Sequence, residues 1–235
     1  MLHEYHARFL NSLYPKHVVD AMNRKNMNCL SRYHHDITIC FADIKGFTSL
    51  CCNMKPSTVM GFMNVLFGEF DKLLTKYNIY KLETVGDCYV TVSGLINHKP
   101  NGERVVELMD TAIAVGNMFG FAKDMIRAAY KLYLPGTYCR HVELRVGIHT
   151  GDVTSGIIDN TMPKFSLFGD TMNMASRMET TGKPMQIHLS SNTFNLLDDE
   201  NKEMCKEQKI FVKGKGNTCT YLMNCRQDKQ YHYQK

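Results

Sequence analysis

Residues 81–94 read KLETVGDCYVTVSG, two β-prone runs separated by the pair Gly86-Asp87. β-branched and aromatic side chains are frequent in both runs, as they are in strands. A Gly-Asp pair between two such runs predicts a tight β-hairpin. The hairpin would carry the carboxylate of Asp87 at its tip.

A second carboxylate, Asp43, ends another predicted strand. The run DITICFA at residues 36–42 is β-prone, and it stops in the turn-like stretch Asp43-Ile44-Lys45-Gly46. Magnesium ions take few protein oxygens and fill their other positions with water and phosphate, so two carboxylates at strand ends fit a paired Mg²⁺ site. On spacing alone, each aspartate is better explained as an ordinary turn residue than as a metal ligand, because Asp favours turns.

Helices are predicted on both sides of the hairpin. Residues 57–77 carry apolar side chains at helical spacing, and a longer helix is predicted from Glu103 to Tyr133. With the strand VELRVGIHT that follows, the order becomes strand, helix, hairpin, helix, strand. This order predicts an α+β fold whose sheet has helices on one face.

The second half of the chain adds strands and a polar helix. A further strand, GDVTSGII, precedes a segment at 159–168 that we expect to be irregular. The sequence DTMNMASRMETTG then predicts a helix from Asp170, with Asn173 and Arg177 on one face because they are four residues apart. A strand pair that flanks Lys213 ends the predicted fold.

The composition excludes several classes of protein. The net charge of +5, from 28 Lys and Arg against 23 Asp and Glu, is spread along the chain, so we expect no nucleic-acid partner. Nine cysteines without a CxxC pair fit neither a disulfide framework nor a structural zinc site, which indicates a reducing compartment. No apolar run reaches membrane-spanning length, so we expect a soluble domain on the cytoplasmic side. A membrane anchor elsewhere in a longer parent protein stays open.

Four segments in order resemble the class III adenylyl and guanylyl cyclases. They are FADIKGFTSL, KLETVGDCYVTVSG, LRVGIHTGDVTSGII and FSLFGDTMNMASRMETTG, which begin at residues 41, 81, 144 and 165. The resemblance implies a cyclase catalytic domain at 31–225 with a ferredoxin-like βαββαβ core. Residues 1–30 would form a helical lead-in from an upstream region, and residues 226–235 a polar tail.

The resemblance also implies a two-metal site and a phosphate-binding loop. Two Mg²⁺ or Mn²⁺ ions per site would be held by Asp43, Asp87 and the carbonyl of Ile44. The backbone of three residues after the first strand would cradle the β- and γ-phosphates: Gly46, Phe47 and Thr48.

Four polar residues match the family's remaining substrate contacts. Arg145 and Lys213 would bind the triphosphate, Asn173 would orient the ribose, and Arg177 would stabilise the charge that builds on the α-phosphate. Arginine suits this last place because its planar, permanently charged fork can follow the oxygens of a pentacovalent phosphorus. The implied reaction is that of a phosphorus–oxygen lyase, in which the ribose 3′-hydroxyl attacks the α-phosphate and pyrophosphate leaves.

Two residues bear on the choice of purine. Guanine offers N1–H and N2–H₂ donors beside the O6 acceptor, so an acidic side chain favours guanine. Glu83 occupies a position at which this chain resembles the guanylyl cyclases and adenylyl cyclases usually carry Lys. Ser166 departs from the usual Cys of guanylyl cyclases and the Asp of adenylyl cyclases, and its hydroxyl can both donate and accept. The sequence therefore predicts GTP as substrate and a guanylate cyclase.

The family's sites lie between two domains, and this chain carries both sets of residues. The resemblance therefore implies a head-to-tail homodimer with two composite sites, in a parent protein with an upstream sensor or signalling domain. An adenylyl or mixed-specificity cyclase is an alternative, left open by Ser166. A catalytically weak, regulatory cyclase-like domain is another, although the intact set Asp43, Asp87, Asn173 and Arg177 argues against it.

Overall fold

The computed structural model describes residues 10, 14–24, 30–52, 54–98, 104–137, 139–158 and 163–225. Its strands in chain order are β1 (Arg32–Ile44), β2 (Tyr80–Val85), β3 (Cys88–Ser93), β4 (Ile96–His98), β5 (Arg104–Val106), β6 (Leu144–Ile158), β7 (Lys164–Phe168), β8 (Gln186–Ser190), β9 (Cys205–Val212) and β10 (Gly216–Asn224). Its helices are α1 (Lys16–Asn23), α2 (Phe47–Cys51), α3 (Pro56–Tyr77), α4 (Thr111–Tyr130), α5 (Asp170–Thr180), α6 (Ser191–Asn195) and α7 (Asp199–Glu203). The expected tail at 226–235 lies outside the described residues.

One mixed sheet organises these elements. Its strand order is β2-β3-β1-β6-β8-β10-β9, and β7 pairs with the distal part of β6. The first part of the chain runs β1-α3-β2-β3-α4-β6, and its four main strands take the order β2-β3-β1-β6. This is the arrangement of a ferredoxin-like βαββαβ unit, so the predicted core is confirmed.

Alternate residues of β1 point to opposite faces of the sheet. Cys40, Ala42 and Ile44 are buried in the main core, together with residues of α3 and α4. Ile37 and Ile39 belong to a second buried cluster that includes residues of α1 and α5. The expectation of helices on one face therefore holds for the two helices of the ferredoxin-like unit, while α1 and α5 cover the other face.

The second core helix is shorter than predicted. α4 begins at Thr111 rather than near Glu103, because the chain first forms β5, which pairs with β4. Asp110 caps the helix, since its Oδ1 accepts a hydrogen bond from the backbone N–H of Ile113 at 3.1 Å. The helix ends at Tyr130, where the apolar pattern alone favoured three more residues.

Two further predictions about strands were wrong. VELRVGIHT and GDVTSGII form one continuous strand, β6, because Gly151 serves close packing rather than a turn: a Cβ there would lie 2.8 Å from Oγ1 of Thr171 on α5. Residues 164–168, expected to be irregular, form β7 through pairing with β6. The predicted hairpin is confirmed, with Val85 opposite Cys88 and Gly86 at φ 61°. In the described part of the chain, no helix is long and apolar enough to cross a membrane.

Candidate active site

The two predicted metal ligands lie close together at one end of the sheet. Asp43 is near the end of β1 and Asp87 lies in the β2–β3 turn, and the two strand ends are neighbours because β1 pairs with β3, with Ala42 opposite Tyr89. Burial, and then the charge of Asp43, raise the pKa of Asp87 to about 6. Two carboxylates that repel each other in a partly buried place form a site that a cation would stabilise.

A partly buried arginine lies directly against this pair. Arg145 is opposite Asp43 in the β1–β6 register, and its Nη2 donates to Oδ2 of Asp43 at 2.5 Å. Its Nε lies 2.9 Å from Oε1 of Glu179 on α5. Burial raises the pKa of Glu179 to about 7, against the lowering effect of Arg145 and with a further rise from the two aspartates. We call these four residues, Asp43, Asp87, Arg145 and Glu179, the acid corner.

The donor set of the acid corner suits magnesium. Among the described residues, no group of three or more His, Cys, Asp or Glu side chains could hold a metal ion by itself. A hard divalent ion bound through one or two carboxylates, with phosphate and water oxygens as its other ligands, needs no such group. Asp43 and Asp87 therefore fit a metal that arrives with a phosphate-bearing substrate.

The predicted phosphate loop follows Asp43 at once. Gly46 has φ 70°, a left-handed conformation that suits glycine, and the chain then enters the short helix α2. Phe47 is buried, with its ring 5.8 Å from that of Phe62 on α3, and so it anchors the turn. Gly46 and Thr48 stay exposed beside the acid corner.

The two predicted base-reading residues line one cavity. This cavity, which we call the base cavity, has a volume of about 760 Å³ and is lined by Glu83 of β2, by Lys164 and Ser166 of β7 and by Tyr14, among others. Lys164 forms an ion pair with Glu83. Sequence reasoning missed Lys164, although its place two residues before Ser166 puts both side chains on the same face of a strand.

The remaining predicted residues form a third group. Asn173 is exposed on α5, and Arg177, one turn later, donates a hydrogen bond to the carbonyl of Lys213 in the β9–β10 turn. Within the described residues, no hydrogen bond or ion pair joins Arg177 to Asp43 or Asp87. Within the described part of one chain, the Arg177–Lys213 group is thus not bonded to either of the two aspartates.

Comparisons with known proteins identify the family of this chain. The family model for the adenylate and guanylate cyclase catalytic domain matches residues 30–225. The chain belongs to this family. Guanylyl cyclase C of Mus musculus is 34% identical over 231 residues, which are 97% of this chain and 20% of that protein. The chain therefore spans about a fifth of that curated relative.

Solved cyclase structures superpose on most of this chain. The guanylate cyclase domain of RhGC from Catenaria anguillulae, in complex with GTP, has a TM-score of 0.67 and 30% identity over 81% of this chain and 97% of that one. The catalytic core of a rhodopsin-guanylyl cyclase with converted specificity, in complex with ATPαS, has a TM-score of 0.68 and 29% identity over 83% and 98%. The predicted place of this chain in the cyclase family, on its guanylyl branch, is confirmed, and the roles of single site residues stay predictions.

Sequence reasoning missed a second member of the site, Glu179. It lies in the motif DTMNMASRMETTG of the cyclase family, but its position on the buried side of α5 resembles that of an apolar residue. Only the packing of α5 on β6 brings it to Arg145. The available signal was an acidic residue on the helix face that the pattern predicts to be buried. Acidic residues are rarely buried without a partner, so this position indicated a partner for Glu179.

Proposed function

We propose that this chain is a guanylyl cyclase catalytic domain, which converts GTP to 3′,5′-cyclic GMP and pyrophosphate. The observation that carries the proposal is the pair Asp43 and Asp87, where burial, and then the charge of Asp43, raise the pKa of Asp87 to about 6. The cyclase family membership and a relative solved with GTP support it.

The chain's own residues supply the contacts of the reaction. Asp43, Asp87 and the Ile44 carbonyl hold two Mg²⁺ or Mn²⁺ ions, which when bound lower the pKa of the ribose 3′-hydroxyl and offset phosphate charge. The backbone from Gly46 to Thr48 binds the β- and γ-phosphates.

Two groups of cations act on the triphosphate. Arg145 and Lys213 bind its terminal phosphates, and Arg177 stabilises the negative charge that develops at the α-phosphate. Asn173 orients the ribose so that its 3′-oxygen lies in line with the bond to the leaving pyrophosphate.

The base cavity selects guanine. Glu83 accepts hydrogen bonds from N1–H and N2–H₂, and the Ser166 hydroxyl donates to O6. Lys164 pairs with Glu83 at the wall of this cavity. Against adenine, Glu83 would face the N1 lone pair without a hydrogen bond, which is the kind of mismatch that gives strong discrimination.

The active enzyme is a head-to-tail homodimer with two composite sites. Within the described residues of one chain, Arg177 makes no hydrogen bond or ion pair with Asp43 or Asp87, which supports this arrangement, because catalysis needs all three around one triphosphate. The length of guanylyl cyclase C, of which the chain covers 20%, supports a longer parent protein with an upstream sensor domain.

A substrate assay tests the proposal. Purified protein is incubated with GTP or ATP in Mn²⁺ or Mg²⁺, and cyclic nucleotide and pyrophosphate are measured together. We expect cyclic GMP and pyrophosphate in equal amounts and little cyclic AMP. Equal rates with ATP would favour the mixed-specificity alternative. Binding of GTP without turnover, by a folded dimer, would favour the regulatory one.

A further inference from the structure

Glu179 is a buried acid that the proposed reaction does not use. Its side chain is only 7% exposed, and its Oε1 lies 2.9 Å from Nε of Arg145. The contact lacks the geometry of a hydrogen bond, so both buried atoms are without a hydrogen-bond partner among the described residues. A buried polar group in this state costs free energy, so its presence needs an explanation.

The close packing of α5 on β6 fixes Glu179 in this place. A Cβ on Gly147 would lie 1.9 Å from the backbone nitrogen of Glu179 and 2.5 Å from the carbonyl carbon of Met178, so only glycine allows the helix to lie against the strand here. Gly147 is two residues after Arg145 on the same strand face. The fold therefore holds the carboxylate of Glu179 beside the guanidinium of Arg145.

Arg145 is shared between two acids in different directions. Its Nη2 makes a 2.5 Å contact with Asp43, while Nε faces Glu179 at an unfavourable angle. A guanidinium is planar with its donors in a rigid fork, so a rotation of this group that shortens its contact with one acid changes its contact with the other. Loss of the Asp43 contact would leave Arg145 free to turn towards Glu179.

We infer that Glu179 is a positioning residue: it holds Arg145 through Nε when Asp43 binds metal ions, and so directs the terminal nitrogens of Arg145 to the triphosphate. The inference rests on the proposed function, because it requires Asp43 to exchange Arg145 for a cation. Without Glu179, the Arg145–Asp43 pair stays closed and competes with both the metal and the nucleotide.

A double-mutant cycle on nucleotide binding tests this role. The probe is 3′-deoxy-GTP, which cannot cyclise, titrated calorimetrically in MnCl₂ into wild type, Glu179→Gln, Arg145→Met and the double mutant. We expect each single mutant to bind about tenfold more weakly, as for loss of a contact to a charged group. The double mutant should bind no more weakly than Arg145→Met, because Glu179 acts through Arg145. In turnover with GTP, Glu179→Gln should raise KM more than it lowers kcat.

Two further variants separate positioning from folding. Asp124→Asn removes a partly buried acid of α4 whose Oδ2 lies 2.7 Å from Nζ of Lys76, and it should lower the melting temperature without changing binding of the probe. Glu179→Asp keeps the charge on a shorter side chain and should bind the probe with an affinity between those of wild type and Glu179→Gln. Asp124→Asn weakening the probe as much as Glu179→Gln would show a general effect of lost stability and overturn the inference.

Two further results distinguish a failure of the positioning role of Glu179 from a failure of the metal site. Wild-type affinity in Glu179→Gln, or losses that multiply in the double mutant, would overturn the role of Glu179 and leave the proposed function intact. Asp43→Ala should lose the Mn²⁺ dependence of binding. If it kept that dependence, the metal site itself would be wrong, and the inference would fail with it.

Discussion

The acid corner and the base cavity differ in how strongly their charges are coupled. In the acid corner, the side chains of Asp43 and Glu179 are only 16% and 7% exposed, and both contact Arg145. In the base cavity, Lys164 is 55% exposed and Glu83 is 25% exposed, in a single ion pair. Charges interact strongly where water is excluded and weakly where it is not. Substitutions in the acid corner should therefore affect whether the reaction occurs, and those in the base cavity should affect which purine is used.

The largest effect is expected in the acid corner. Asp43→Ala and Asp87→Ala should each lower turnover of GTP at saturating Mn²⁺ by at least about a thousandfold, because each removes a ligand that positions the ions and their charge. Cyclic GMP formation measures this, with circular dichroism as the control for folding. Near wild-type turnover in either folded mutant would contradict the metal assignment.

Complementation tests whether the acid corner of one chain works with the Arg177 of another. Asp43→Ala and Arg177→Ala proteins, each nearly inactive, should regain activity when mixed, because one site of each heterodimer collects both defects and the other collects neither. Random exchange makes about half of the dimers mixed, so roughly a quarter of wild-type sites should return in a two-fold assembly.

Protein concentration is the control in this experiment, since weak dimers dissociate on dilution and the recovered activity should fall with them. Sedimentation measures the dimer fraction at each concentration. If the dimers are present and no activity returns, both residues serve one site within one chain.

The sequence predicted the acid pair better than its surroundings. Asp43 and Asp87 end strands whose β-prone pattern is local, so their meeting followed from the hairpin and the resemblance. Glu179 and Lys164 reach their partners only through long-range packing: α5 on β6 at Gly147, and β7 beside β6. Residues 164–168 have a strand only because β6 offers them an edge, which no local pattern reveals.

A swap in the base cavity should change selectivity and leave the acid corner intact. Glu83→Lys combined with Ser166→Asp inverts both hydrogen-bonding polarities, so the ratio of kcat/KM for GTP over ATP should fall by about a hundredfold or more. Parallel assays with both nucleotides measure this ratio. A double mutant that is active, folded and still selective for GTP would show that the purine is chosen elsewhere.

The smallest effect is expected from Lys164, the exposed partner of Glu83. Lys164→Met removes an ion pair of the kind that contributes at most about 1 kcal/mol, so KM for GTP should rise by no more than about fivefold. Because salt screens exposed charges, the difference between Lys164→Met and wild type should shrink as ionic strength rises. Lys72→Met is a control, since Lys72 makes a more exposed ion pair with Glu69 on α3, outside the base cavity, and should leave KM unchanged. A loss of about a hundredfold in Lys164→Met, insensitive to salt, would instead mean that Lys164 contacts the purine itself, and the base cavity would then be as strongly coupled as the acid corner.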